Sequence, residues 1–210
     1  MARRISVRGE NFIDLRNSDS YYVDKTELLY DLIHEKNNVV TLFTRPRRFG
    51  KTLTMSMIES FLSIFKFESR SVFNGLDIIK RKEFCDEHMN QYPVLFISLK
   101  DVEALTFESA YRKLTIVISD LCKKFIYLEY DKNVIPSDAE KFHKLQYESA
   151  DYEDVQNALK TIMRMMYSKY GKQVVLLIDE YDVPLAKAQY GHGLRLLSLI
   201  LVHCSLFLSS

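Results

Sequence analysis

The chain is poor in the features that mark several familiar protein classes. Its three cysteines, Cys85, Cys122 and Cys204, form no CxxC pair, and 210 residues can bury a core without disulfide staples. Reduced, buried cysteines of a cytosolic protein are therefore expected. Charge of one sign is not in excess either. Twenty-nine Lys and Arg against 28 Asp and Glu leave +1, so no global field recruits nucleic acid or an anionic membrane. There is no Pro, Ser or Gln tract of the kind that keeps a chain unfolded, and 47% hydrophobic with 27% charged residues predicts a globular chain. Arg3, Arg4 and Arg8 lead into Gly9 to Asp14 rather than an apolar stretch, so no signal peptide is expected. The long uncharged run, 196–208, has 13 residues, against the ~20 that a membrane-spanning helix needs. His34, His88, His143, His192 and His203 show no ligand spacing, and Cys85 with His88 cannot complete a zinc site. A cytoplasmic chain with no membrane span is expected.

What is present is an alternation of helical and strand-like patterns from about residue 25 to 188, the mark of parallel βαβ units. Tyr21 to Val23 is a short β-prone stretch, and Asp24 with Glu27 reads as a capping box opening a helix through Leu28, Leu29, Leu32 and Ile33. Val39 to Thr44 has the β-branched, uncharged pattern of a strand buried on both faces. Leu53, Met57, Ile58, Phe61, Leu62 and Phe65 follow at helical spacing. Val94 to Leu99 predicts a second strand, and the apolar stripe from Phe107 to Phe125 a long helix. Residues 127–151 carry little pattern and read as an insertion or helical excursion. Val155 to Met166 predicts another helix, Gly171 its cap, and Val174 to Ile178 a third buried strand.

Two motifs sit at the ends of predicted strands. Arg45, Pro46, Arg47, Arg48, Phe49, Gly50, Lys51 and Thr52 match the last three positions of the phosphate-loop pattern GxxxxGK[ST], between a strand and a helix. Gly50 permits close backbone approach, the following helix offers N–H groups and a positive dipole end, Lys51 reaches the β and γ phosphates, and Thr52 offers a hydroxyl to magnesium. Arg45 stands where the pattern has its first glycine. Arg45, Arg47 and Arg48 either clamp phosphate oxygens or keep an exposed loop solvated. The second motif, Val174 to Glu180, runs aliphatic residues into two acids at a strand's carboxyl end, a Walker B pattern. Asp179 would hold the magnesium shell and Glu180 would orient and deprotonate a water. Lys100 and Asp101 follow the second strand and belong either to the ligand edge or to a solvated turn. No [NT]KxD motif occurs, which favours adenine over guanine.

At these residues the chain resembles the bacterial AAA-ATPase-like family of predicted ATPases, which commonly carry a PD-(D/E)XK nuclease-like C-terminal region. The resemblance rests on Tyr21-Tyr-Val-Asp-Lys-Thr26, Thr44 to Leu53, Ile97 to Val102 and Leu177 to Leu185. It implies that an arginine at position 45 is usual. It also implies a P-loop NTPase three-layer α/β sandwich with a mainly parallel sheet and an extra strand between the motif strands, in a molecular switch or motor. No sensor strand, helical lid or nuclease-like region can be matched here, so the fold is expected to be incomplete at the C-terminus. The expected organisation is an N-terminal segment and helix at 1–36, an ATPase-like core at 37–188, and a tail at 189–210 unrelated to the family. Composition changes abruptly near Gln189, which suggests an altered or out-of-frame ending that sequencing of a longer parent gene would support.

Three functions follow. One is an ATPase using Mg2+, with Lys51 and Glu180 as catalytic residues, Thr52 and Asp179 as metal ligands, and residues 45–52 binding ATP. The second is a nucleotide-binding module without turnover, because sensor and lid elements are missing. The third, a nucleic-acid or partner-binding regulator using the arginine-rich loop, is disfavoured by the balanced charge. A protein partner or self-association remains open.

Overall fold

The computed structural model describes residues 10–18, 20–34, 40–43 and 49–183. The chain divides into two compact units, Met1–Val94 and Leu95–Ser210.

The first unit is built around one helix. Helix α1 (Phe12–Asn17) is capped by Asn11, whose side chain accepts the N–H groups of Ile13 and Asp14. Helix α2 spans Glu27–His34, and α3 spans Lys51–Leu62 with Met57, Ile58, Phe61 and Leu62 buried. A 3-10 segment (Ile64–Phe73), a second (Asp77–Lys80) and helix α4 (Lys82–His88) follow. The end of α3 is closed by a turn rather than by another helix. Asn90 Nδ2 donates to the carbonyls of Ser60 at 3.2 Å and Ser63 at 2.8 Å, its backbone N–H donates to Phe61, and Tyr92 N–H donates to Leu62. Carbonyls that a helix leaves unpaired at its last turn are thus satisfied.

The capping box predicted at Asp24 and Glu27 does not form. Helix α2 opens at Glu27 itself, whose carboxylate pairs with Arg81 at 2.7 Å, and Asp24 turns away to other donors. The buried strand predicted over 39–44 is also not seen among the described residues 40–43, which are irregular, with Val40 66% and Leu42 62% exposed. A central strand needs a ladder on each side, and the described strands pair only with one another.

The second unit follows its predicted pattern closely. Strand β1 (Val94–Ser98) leads to α5 (Phe107–Lys124), which starts where the Thr106 side chain accepts the Ser109 N–H. A 3-10 turn (Ile126–Leu128) precedes α6 (Pro136–Gln146), with proline at its opening, where its lacking N–H costs nothing. Helices α7 (Tyr152–Gln156) and α8 (Ala158–Tyr170) break at Asn157, and α8 ends at Gly171 with φ +62°. Strand β2 (Val175–Asp179) completes a small parallel two-stranded sheet with β1. Leu114, Ile118, Phe142, Leu145, Ile162, Met165 and Met166 fill one core with Leu95 and Ile97, each large side chain contributing about 1.5–3 kcal/mol. The molecule thus mixes helix with a small parallel sheet, as an α/β chain should. Cys85 and Cys122 are buried and free, and burial pushes the Cys122 thiol up to about 12.

Candidate functional site

The phosphate-loop segment ends where α3 begins. Gly50 precedes the helix with φ +76°, and among the described residues beyond its chain neighbours no heavy atom lies within 4 Å of where a β-carbon would stand. The conformation, rather than crowding, therefore calls for glycine. As the residue before the helix, Gly50 also has no side chain to accept the N–H groups of the first turn, and that turn, Lys51 to Thr54, contains no acid. A helix that opens this way presents N–H groups and the positive end of its dipole. Phe49 is 65% exposed, and Lys51 and Thr52 are half-buried. Arg45, Pro46, Arg47 and Arg48 lie outside the described residues, as does the tail 189–210.

The two acids of the second motif occupy different environments although they are adjacent. Asp179 is the last residue of β2 and only 4% exposed, and its carbonyl accepts the Leu99 N–H at 3.0 Å. That bond extends the β1–β2 pairing to the carboxyl end of both strands, where α/β sheets present their ligand-binding groups. Glu180 is half-buried with φ +53°, in the left-handed region, and its carbonyl accepts the Val183 N–H at 3.1 Å. A non-glycine residue there carries about 1–2 kcal/mol of strain. The sharp turn brings the chain off the strand immediately after Asp179.

Gly50, Lys51 and Thr52 belong to the first unit and Asp179 and Glu180 to the second. Lys100 and Asp101, with Glu103, Ala104, Leu105 and Lys113, line a cavity of about 460 Å³ in the loop that leaves β1. Lys113 Nζ donates to the Glu103 carbonyl at 2.5 Å and ties α5 to that loop. Among the described residues, no three His, Cys, Asp or Glu side chains gather to hold a metal. Thr52 at the opening of α3 offers a hydroxyl and Asp179 at the end of β2 a carboxylate, each a hard oxygen donor of the kind magnesium takes.

The sequence reading missed the use of Asp24 and Thr26. Oδ1 of Asp24 accepts the Thr26 N–H at 2.8 Å and hydroxyl at 2.7 Å, and Oδ2 accepts the Asp77 N–H at 2.7 Å. The spacing Asp-x-Thr was the available signal, since such pairs close local turns through their own backbone. The spacing of Asp24 to Glu27 points to a helix cap instead.

No helix among the described residues is long and apolar enough to cross a membrane. The chain is 24% identical over 189 residues to a protein described as "Uncharacterized protein in vnfD 5'region" from Azotobacter chroococcum mcd 1; the match covers 87% of this chain and 30% of that protein. No solved structure matches the chain. The family described as predicted AAA-ATPase matches residues 6–196, nearly the whole chain, with both motifs inside the match. The chain therefore belongs to the predicted AAA-ATPase family.

Proposed function

We propose that this chain binds ATP with magnesium at residues 45–52, within an ATPase core spanning 37–188 of the P-loop three-layer kind, and that the protein carrying it hydrolyses ATP. The observation that carries the reading is the opening of α3: a left-handed glycine followed by Lys51 and Thr52 on an acid-free first turn. Backbone N–H groups there suit phosphate oxygens, and an acid-free turn leaves the positive helix end for an outside anion. Family membership and the order of the two motifs support the same reading.

Bound magnesium ATP supplies the phosphoanhydride and the divalent charge. Lys51 Nζ would place a positive charge against the β and γ phosphates, and the Thr52 hydroxyl would offer an oxygen to the metal. The Asp179 carboxylate would offer an oxygen to magnesium. The Glu180 carboxylate would accept the proton of the water that attacks the γ-phosphate. A chain that binds without turnover would keep every one of these roles except the last.

Thermal unfolding with and without MgATP tests the reading. Ligand at 100 times its dissociation constant should add about 2.7 kcal/mol of stability, and Lys51→Ala should remove that gain. No shift in the unsubstituted chain would overturn the proposal. Phosphate release then separates turnover from binding: release that disappears in Glu180→Gln marks an ATPase, and a nucleotide-dependent shift without release marks a binding module.

A further inference from the structure

We infer that Asp24 and Thr26 form a clasp that positions the nucleotide-binding helix, so that affinity for ATP depends on two residues outside the phosphate loop; this rests on reading Gly50 to Thr52 as the phosphate site. The segment from Ser20 to Thr26 reaches α3 through Tyr22 and acts as a strap on it. Tyr22 packs edge-on against Phe12 at 5.4 Å, and its hydroxyl meets Met57 Sδ at 3.3 Å. The Phe12 N–H donates to Ser56 Oγ at 3.0 Å, and the Phe12 ring lies 5.0 Å from Phe73, which in turn contacts Phe61 at 5.4 Å. Two residues of α3 are therefore held directly, Ser56 by α1 and Met57 by the strap, and Phe61 is reached through Phe73. Ser56 and Met57 lie about 8 Å along the helix from Lys51, at 1.5 Å per residue. A contact so close to the opening turn governs the rotation of the helix about its axis, and with it the direction of the first N–H groups.

The strap is fastened at its far end. Thr26 is fully buried, and its hydroxyl donates to Asp24 while accepting the Ile78 N–H at 3.2 Å. Asp24 and Thr26 together take both opening N–H groups of the 3-10 turn Asp77–Lys80, whose preceding residue, Leu76, gives no side-chain cap. Neither residue is replaceable by shape alone. An amide at position 24 offers one acceptor oxygen where two are in use, and valine at position 26 fills the volume but removes a donor and an acceptor. Burial by itself would raise the Asp24 pKa, but the N–H donors of Thr26 and Asp77, the Thr26 hydroxyl and the charge of Arg16 together bring it below the usual value. Asp24 is thus an ionised acceptor at neutral pH.

The test is calorimetric titration of the full chain with MgATP at matched folded fraction. Asp24→Asn and Thr26→Val should weaken binding at least tenfold, while Thr26→Ser, which keeps the hydroxyl, binds within twofold of the unsubstituted chain. Ile78→Val, which lowers stability in the same place without touching the four hydrogen bonds, should bind normally. Normal binding by Asp24→Asn and Thr26→Val, or equal weakening by Ile78→Val, overturns the clasp and leaves the ATP reading standing. An unsubstituted chain that does not bind MgATP overturns both.

Discussion

The two units solve the same problem, satisfying backbone polar groups, in different ways. In the second unit the long helices α5, α6 and α8 bond their own backbones, so polar side chains are free to pair with each other. Arg164 makes a two-pronged contact with Asp138, linking α8 to α6. In the first unit much of the chain is 3-10 or irregular, and side chains stand in for missing ladder partners. Arg16 donates to the carbonyls of Val72 at 2.8 Å and Asn74 at 3.0 Å, Asn90 closes α3, and Asp24 takes the Asp77 N–H. Buried N–H and C=O groups have to be paired, and where secondary structure does not supply the partner a specific side chain must. The first unit should therefore be sensitive to single polar atoms, and the second to volume and to charge pairing.

The largest expected effect lies in the second unit. The side chain of Asp138 is 5% exposed and that of Arg164 36%. Arg164→Ala strands a buried carboxylate and should cost about 3 kcal/mol, whereas Asp138→Ala leaves a cation that still reaches water and should cost about 1–2 kcal/mol. Urea unfolding of both variants measures the asymmetry. Equal losses would mean that packing, not the buried charge, dominates at this pair.

The corresponding probe of the first unit is Asn90, which is 5% exposed with φ +55°. Asn90→Gly keeps the backbone conformation but loses two amide bonds, for about 1–2 kcal/mol. Asn90→Ala adds the left-handed strain and should lose about 1 kcal/mol more. Asn90→Asp, which points an acceptor at two carbonyls, should be worse than either. If Asp is tolerated as well as Gly, the side-chain bonds that close α3 matter less than the turn, and the contrast between the units weakens.

This difference also explains what could be read in advance. The second unit was legible because amphipathic periodicity reports helices that bury one face, as α5 and α8 do, and short unbroken apolar runs report strands such as β1 and β2. Residues 127–151 were the exception, since a mean polar surface hides the single buried face that Phe142 and Leu145 give α6. In the first unit periodicity located α3, but not the use made of Asp24 and Thr26, because the N–H groups of Asp77 and Ile78 that they accept lie more than fifty positions away in the chain. The two motifs, Arg45 to Thr52 and Val174 to Glu180, are recognised by residue type and order alone. The left-handed backbone at Glu180 was not, because glutamate has no preference for it.

That backbone sharpens the comparison through its smallest effect. Gly50 and Glu180 both adopt positive φ within a motif, at +76° and +53°, yet only one of them is the residue that the conformation favours. If strain at Glu180 is retained for the sake of its carboxylate, Glu180→Gly should leave the fold unharmed or stabilise it by up to about 1 kcal/mol, the relief of left-handed strain set against the larger freedom of glycine in the unfolded chain. Glu180→Gln keeps the strain and should melt within a degree or two of the unsubstituted chain. Both should abolish phosphate release if Glu180 activates water. A Glu180→Gly chain that melts well below Glu180→Gln would mean that the side chain holds the end of β2 in place, and the strained turn would then belong to folding and not to chemistry.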